Sequence, residues 1–328
     1  MSDRDLTPDA IAHLVGDDVE TLTPLAGDAS TRRYWRARLK ECGSVVVMRT
    51  QEGKEIRSFV AITALMEEMG APVPKFYSSE GNLLLLEDLG DGLLQSEIAG
   101  ATEEALYDRY RPLLNTLADF QATAALRAKR GDRDCFVLAF DVEKLTFETD
   151  FTRTHFVEGF MGRSLSDAER GALDTLWAAV AGELAADPFE TLCHRDFHAR
   201  NIMVAPNGRV VWIDYQDARM GRFTYDLASL LEDPYAALPF GLRDRLTVDH
   251  WRLLRDRGMP VGDEESFRRI YRLSALQRLY KALGTYGYQI GVKGNETFRP
   301  SVAPAVAGFL RHADERFCVV ADLIAPSS

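Results

Sequence analysis

The spacing of apolar residues along the chain switches between strand and helix periods up to about residue 90 and is mainly helical beyond it. Ile11, Leu14 and Val15 recur at helical spacing after Thr7-Pro8. Residues 21–25, 32–39 and 44–49 then read as three strands. The second of these alternates Arg33, Trp35, Ala37 and Leu39 with Arg32, Tyr34, Arg36 and Arg38, one set on each face. Ile56, Phe59, Val60, Leu65, Met66 and Met69 mark an amphipathic helix closed by Gly70, and Pro72 and Pro74 force an extended exit. Leu83-Leu84-Leu85-Leu86 is a buried strand running into Glu87-Asp88-Leu89-Gly90.

Beyond this point the period becomes helical. Leu106, Tyr110, Leu113, Leu114, Leu117 and Phe120 make one apolar stripe, and Ser166 with Glu169 forms a capping box that opens another helix. Residues 273–288 and 302–323 read as further helices. The pattern predicts an α+β protein, with a small β-rich region over residues 1–90 and a mainly helical one over 91–328. A length of 328 residues suits two such regions, each with its own core.

Composition adds exclusions. Hydrophobic residues at 46% and charged residues at 27% are ordinary for a globular protein, and no apolar run approaches the length needed to span a membrane. A net charge of −11 disfavours nucleic acid and anionic membranes as partners. Cys42, Cys135, Cys193 and Cys318 are widely spaced with no metal-ligand pattern, which suits inert thiols in a reducing compartment. The polar N-terminus lacks a signal-peptide pattern, so the expected location is the cytoplasm.

The chemistry concentrates in His194-Arg195-Asp196-Phe197-His198-Ala199-Arg200-Asn201, an intact H-R-D-x-x-x-x-N catalytic loop. Its spacing lets Asp196 reach a substrate hydroxyl proton while Asn201 turns back towards a metal ion. Residues 202–204 and 210–213 read as two strands joined across Asn207-Gly208, a hairpin that returns the chain to Asp214, the second expected metal ligand. Farther on, Tyr225-Asp226-Leu227-Ala228 opens a helix; Asp226 either favours the helix dipole or accepts backbone N–H groups of the catalytic loop. His198 either orients an acceptor or packs, and Arg200 either steadies the loop or neutralises charge. Asp217 either assists the metal or acceptor or makes structural hydrogen bonds.

These motifs resemble the aminoglycoside phosphotransferase branch of the kinase-like superfamily. Within it, Gly27-Asp28-Ala29-Ser30-Thr31-Arg32-Arg33-Tyr34 and the run from His194 to Met203 are most similar to the bacterial N-acetylmuramate/N-acetylglucosamine anomeric kinases of cell-wall recycling. The resemblance implies a bilobal protein-kinase-like fold and transfer of the γ-phosphoryl of ATP or GTP, with Mg²⁺, to the anomeric hydroxyl of an amino sugar. It implies Asp196 as the catalytic residue and Asn201 and Asp214 as metal ligands. Backbone at Ala29, Ser30 and Thr31 would cradle phosphate, and Glu87 and Leu89 would bond the adenine edge. Residues 141–162, rich in charged and aromatic side chains, fall where related kinases place much of the acceptor site, although a solvated helix face has the same composition.

One departure stands out. The third strand of this superfamily carries a lysine for the α- and β-phosphates, and here Met48 or Arg49 occupies its place. Arg33 is the candidate replacement, since it shares a strand face with Trp35 and Leu39, the face expected to look into the cleft. An arginine stem lying on the surface is the alternative. Two rival functions remain open from sequence: a kinase for an aminoglycoside, choline or another hydroxylated metabolite, and a pseudokinase that binds without turnover.

Overall fold

A computed structural model describes residues 7–25, 32–41, 43–50, 53–130, 138–186 and 191–325. In chain order its elements begin with α1 (Pro8–Val15), β1 (Val19–Leu25), β2 (Arg33–Leu39), β3 (Gly43–Arg49), α2 (Gly53–Glu68), β4 (Phe76–Glu80) and β5 (Leu83–Glu87). There follow α3 (Leu94–Glu97), α4 (Glu103–Lys129), α5 (Val142–Thr152), a π-helical segment at Arg153–Phe160, and α6 (Asp167–Ala185). Four short strands come next: β6 (Thr191–Cys193), β7 (Ile202–Val204), β8 (Val210–Trp212) and β9 (Arg219–Gly221). The chain closes with α7 (Phe223–Leu231), α8 (Phe240–Asp256), α9 (Glu264–Gly291), α10 (Val302–His312) and α11 (Cys318–Ile324).

The chain forms two compact units, one of residues 1–93 with 202–216 and one of 94–201 with 217–328. The division is therefore not a single cut near residue 90, because the β7–β8 hairpin packs with the first unit. Val204 N–H donates to the Gly92 carbonyl at 2.8 Å, and Trp212 N–H to the Pro72 carbonyl at 2.7 Å. Gly92 is required there: a Cβ at that position would collide with the Val204 carbonyl.

In the first unit an antiparallel sheet runs in the order β1-β2-β3-β5-β4. The alternation read from sequence places Trp35, Ala37 and Leu39 inward on β2, and registers Trp35 against Val47 and Ala37 against Val45 on β3. Ala37, Leu39, Val45 and Val47 form one core with Leu85 and with Ile11 of α1. So the sheet face that carries Trp35 and Leu39 is the one closed by α1.

The second unit is mainly helical. Helix α4 starts where Thr102 accepts the Ala105 N–H, and the predicted stripe from Leu106 to Phe120 is buried. The predicted capping box is formed: Glu169 N–H reaches Ser166 Oγ at 3.3 Å and Ser166 N–H reaches Glu169 Oε2 at 2.7 Å. The 302–323 stretch is two helices rather than one, since Asp314 accepts the Arg316 N–H and starts a new turn between α10 and α11.

Helix α9 runs through the middle of this unit's core, with Leu276, Tyr280 and Leu283 buried beside Phe156, Trp177 and Phe309. Gly284 and Gly287 let the π-helical segment and the end of α5 approach it closely. An added Cβ at Gly284 would strike Thr152, and at Gly287 the backbone of His155. Thr152 Oγ1 in turn donates at 3.0 Å to the carbonyls of Glu148 and Tyr280, linking the two helices.

Candidate active site

The catalytic loop leaves β6 and is held from behind by two buried carboxylates. Asp226 of α7 accepts His194 N–H on Oδ2 at 2.7 Å and Arg195 N–H on Oδ1 at 3.0 Å. Asp233, just past α7, accepts Ala199 N–H at 2.8 Å on Oδ2 and Tyr235 N–H at 2.8 Å on Oδ1. Burial raises both carboxyls, Asp226 to about 7 and Asp233 to about 6, against the backbone N–H groups that favour ionisation. Between them the loop bends sharply, with Arg195 at a φ of 82°. Such a conformation in a bulky residue persists only where the surroundings over-determine it.

Asp226 is thus a loop buttress. Asp233 plays the same part and is a residue that sequence reading missed; its only signal was its place, seven residues after Asp226. Arg200 steadies the loop as expected: its Nε donates to Gln95 Oε1 at 3.1 Å and its guanidinium lies 3.8 Å from the Tyr235 ring centre. His198 packs edge-on against Tyr235, and burial pushes its pKa down to about 3.

Asp196 stands in a cationic cluster that the loop motif did not announce. Lys281 Nζ of α9 donates to its Oδ1 at 2.8 Å, and Arg278 NH2 of the same helix lies 3.2 Å from that oxygen. Arg195 Nε is 3.8 Å from Oδ2. Burial alone would raise the Asp196 pKa, but the charges of Lys281, Arg278 and Arg195 outweigh it and hold the carboxyl well below its usual range. Burial brings Lys281 down to about 8 in spite of Asp196.

Around this core, Glu148 of α5 is 4% exposed and lies 3.3 Å from Lys144 Nζ and 3.6 Å from Arg195 NH2. Gln277 donates to its other oxygen at 3.0 Å. Asp217 pairs with Arg195 at 3.1 Å, the structural alternative of its two expected roles. Arg278 and Lys281 were legible only as two cations three residues apart on one face of a predicted helix.

Asn201 donates through Nδ2 to the Asp196 carbonyl at 2.9 Å, so its amide oxygen is the atom it can offer a metal. In the first unit, Asp214 follows β8 at a φ of 66°, and Gln216 Nε2 donates to its Oδ1 at 2.7 Å. The hairpin pairs Ile202 with Trp212, the residues next to Asn201 and two before Asp214. A carboxylate and an amide oxygen are the hard donors that Mg²⁺ takes, and such ions complete their shell with nucleotide phosphates and water. Among the described residues no cluster of three or more His, Cys, Asp or Glu forms an all-protein metal cage.

Helix α2 reaches the same loop, since Thr63 Oγ1 and the Tyr215 hydroxyl are 2.9 Å apart and Phe59 packs on the Tyr215 ring. On β2, Tyr34 lies within electrostatic range of Asp214. Its hydroxyl is raised by burial, with Arg32 and Asp214 both close enough to act on it.

The two faces of β2 carry different residues beside Arg33. The alternation along β2 is as predicted, but Arg33 belongs to the face that α1 closes, and it is exposed at the end of the strand. Arg49 shares that face and lies over the Trp35 ring at 5.7 Å. On the opposite face Tyr34 registers with Met48, which is fully buried.

At the end of β5, Glu87 N–H donates to the Lys75 carbonyl at 2.9 Å and its side chain pairs with Arg209. Any adenine contact from Glu87 therefore has to use its carbonyl. Leu89 is buried beyond it, where Asp88 accepts the Gly90 N–H at 3.0 Å. Ala29, Ser30 and Thr31 lie outside the described residues.

A buttressed H-R-D loop, a hairpin and a left-handed Asp define the phosphoryl-transferring class of kinase-like enzymes. The model of the phosphotransferase enzyme family matches residues 21–264, and the chain belongs to that family. It is 26% identical over 306 residues to the N-acetylmuramate/N-acetylglucosamine kinase of Neisseria meningitidis serogroup B, covering 93% of this chain and 89% of that one.

Among solved structures it resembles choline kinase LicA from Streptococcus pneumoniae, with a TM-score of 0.60 at 16% identity over 92% of this chain and 97% of the other. It also resembles the ADP-bound aminoglycoside phosphotransferase APH(2'')-Ib, with a TM-score of 0.59 at 14% identity over 95% and 99%. The protein has the protein-kinase-like fold and is a nucleotide-using, small-molecule kinase. No helix among the described residues is long and apolar enough to cross a membrane.

Proposed function

We propose that the chain is a cytoplasmic enzyme that transfers the γ-phosphoryl of ATP or GTP to the anomeric hydroxyl of N-acetylmuramate or N-acetylglucosamine, in the recovery of cell-wall sugars. One observation carries the choice of acceptor: Asp196 is surrounded by Lys281, Arg278 and Arg195. Aminoglycosides and choline are cations and would be repelled there, whereas a neutral N-acetylated sugar or one bearing a carboxylate is accommodated. The named kinase relative supports the same acceptor.

In this reading Asp196 takes the hydroxyl proton, and the transfer is otherwise a matter of positioning and electrostatics. Asn201 and Asp214 would hold Mg²⁺, which would supply positive charge to neutralise the phosphates. Backbone at Ala29, Ser30 and Thr31 cradles phosphate, while the Glu87 carbonyl and Leu89 backbone meet the adenine. Of the arginines beside that loop, Arg32 is the better placed for the nucleotide's charge, with Arg33 as the competing assignment.

A coupled ADP-release screen over amino sugars, aminoglycosides and choline tests the proposal, with NMR of the product to locate the phosphate. Turnover of N-acetylated sugars with phosphate on C1 is expected. Turnover confined to aminoglycosides or choline, or phosphate on another hydroxyl, would overturn it.

A further inference from the structure

We infer that Lys281, assisted by Arg278, is a positioning residue of the phosphotransfer reaction: it fixes Oδ1 of Asp196 so that Oδ2 is the oxygen that meets the acceptor hydroxyl. The inference rests on the reading of Asp196 as the group that takes the hydroxyl proton.

Both α9 cations converge on one oxygen, at 2.8 Å for Lys281 and 3.2 Å for Arg278. Oδ2 lies 3.8 Å from Arg195 Nε, which is beyond hydrogen-bonding reach. A carboxylate whose two oxygens were equally available could rotate and offer either. This one is held by its Oδ1, and the Asp196 side chain is still 25% exposed, so an acceptor can reach it.

The clamp is itself rigid. The Lys281 and Arg278 side chains are only 10% and 12% exposed, and Arg278 Nε is tied to Ser229 Oγ of α7 at 3.0 Å. Helix α7 also carries Asp226, which holds the loop backbone. The loop's main chain and the orientation of its catalytic carboxylate are therefore referred to the same pair of packed helices, α7 and α9.

During transfer the acceptor oxygen forms its bond to γ-phosphorus, the bond from phosphorus to the departing nucleoside diphosphate breaks, and the hydroxyl proton passes to Oδ2. Lys281 touches neither phosphorus nor acceptor in this scheme and acts through Asp196. Its position 85 residues from Asp196 in sequence hides it from any local motif.

A double-mutant cycle tests the inference, measured with whichever acceptor the wild type turns over. Lys281→Met should lower kcat by about 10- to 100-fold, less than loss of the base itself, with nucleotide KM within about threefold of wild type. Lys281→Arg keeps a cationic donor and should recover most of the loss. In an Asp196→Asn background, Lys281→Met should cost less than about threefold more, because the two residues act as one unit. Arg269→Met, which removes an exposed cation of α9 paired with Glu183, is the control and should leave kcat unchanged.

Full additivity of the two losses would overturn the inference. So would a Lys281→Met enzyme with kcat within about threefold of wild type, or a Lys281→Arg enzyme as impaired as the Met variant. Arg278→Met gives a second route if Lys281→Met fails to fold, and should show the same non-additivity with Asp196→Asn. A wild type active only on choline or an aminoglycoside would defeat the proposed acceptor but leave the cycle measurable. A wild type active on no acceptor would defeat both.

Discussion

The two units carry their cations differently. On β2 of the first unit the arginines sit at the edge of solvent: Arg36 pairs with Asp88 at 2.8 Å and with exposed Asp91 at 2.9 Å, and Arg33 is exposed. In the second unit Lys281, Arg278 and Arg195 are largely withdrawn from water and converge on Asp196 and Glu148. Exposed pairs are screened and individually worth little, whereas a buried charge that loses its partner is costly. Substitutions should therefore be felt far more strongly around the catalytic loop than along the strand.

The largest effect is expected at the centre of the buried cluster. Asp196→Asn should lower kcat by roughly 10²- to 10⁴-fold, the usual contribution of a positioned base, while nucleotide binding measured by calorimetry persists. Near-wild-type turnover would place the chemistry elsewhere.

Next comes the buttress. Asp226→Ala strands the buried N–H groups of His194 and Arg195 and should destabilise the protein by about 2–4 kcal/mol, which urea denaturation will show. A variant as stable as wild type would mean that the loop holds its own shape.

The same unit offers a pH test at Glu232, which is 2% exposed in its side chain and bonded to Arg243, Tyr271 and His312. Burial would raise its carboxyl, but His312 and Arg243 outweigh burial and hold it down at about 2. Because the folded-state value is depressed, this contribution is present above the ordinary glutamate range and is lost as pH falls from about 5 towards 2, amounting to about 3 kcal/mol. Asp226 has the opposite sign: raised to about 7, its contribution is complete below the ordinary carboxylate value and is lost as pH rises through 7. Urea midpoints against pH should show the acid-side loss in wild type and a flatter acid limb in Glu232→Gln. Parallel acid limbs would remove Glu232 as its source.

The smallest effects belong to the strand. Arg32→Ala should raise nucleotide KM by an amount on the order of 1.5–3 kcal/mol, the range for a lost charge-assisted hydrogen bond. Arg33→Ala should stay within about 0.5 kcal/mol, as most surface substitutions do. The reverse ranking would restore Arg33 as the residue that answers for the missing lysine.

Period and local chemistry were enough to read much of this molecule. The strand alternation of β2, the stripe of α4, the capping box at Ser166 and the hairpin through Asn207-Gly208 depend on neighbours a few residues away, and each stands where the pattern placed it. The catalytic loop belongs to the same group, because its spacing encodes its geometry. Long-range packing decided the rest. Alternation says that Trp35 and Tyr34 point to opposite faces but not which face α1 will cover. The helical period over 273–288 says that Arg278 and Lys281 share a face but not that this face meets Asp196. That meeting depends on Gly284 and Gly287 admitting the π-helical segment, on Thr152 tying α5 to α9, and on Ser229 anchoring Arg278. Contacts of this kind join residues 49 and 128 positions apart, distances over which no periodicity in a single chain carries information.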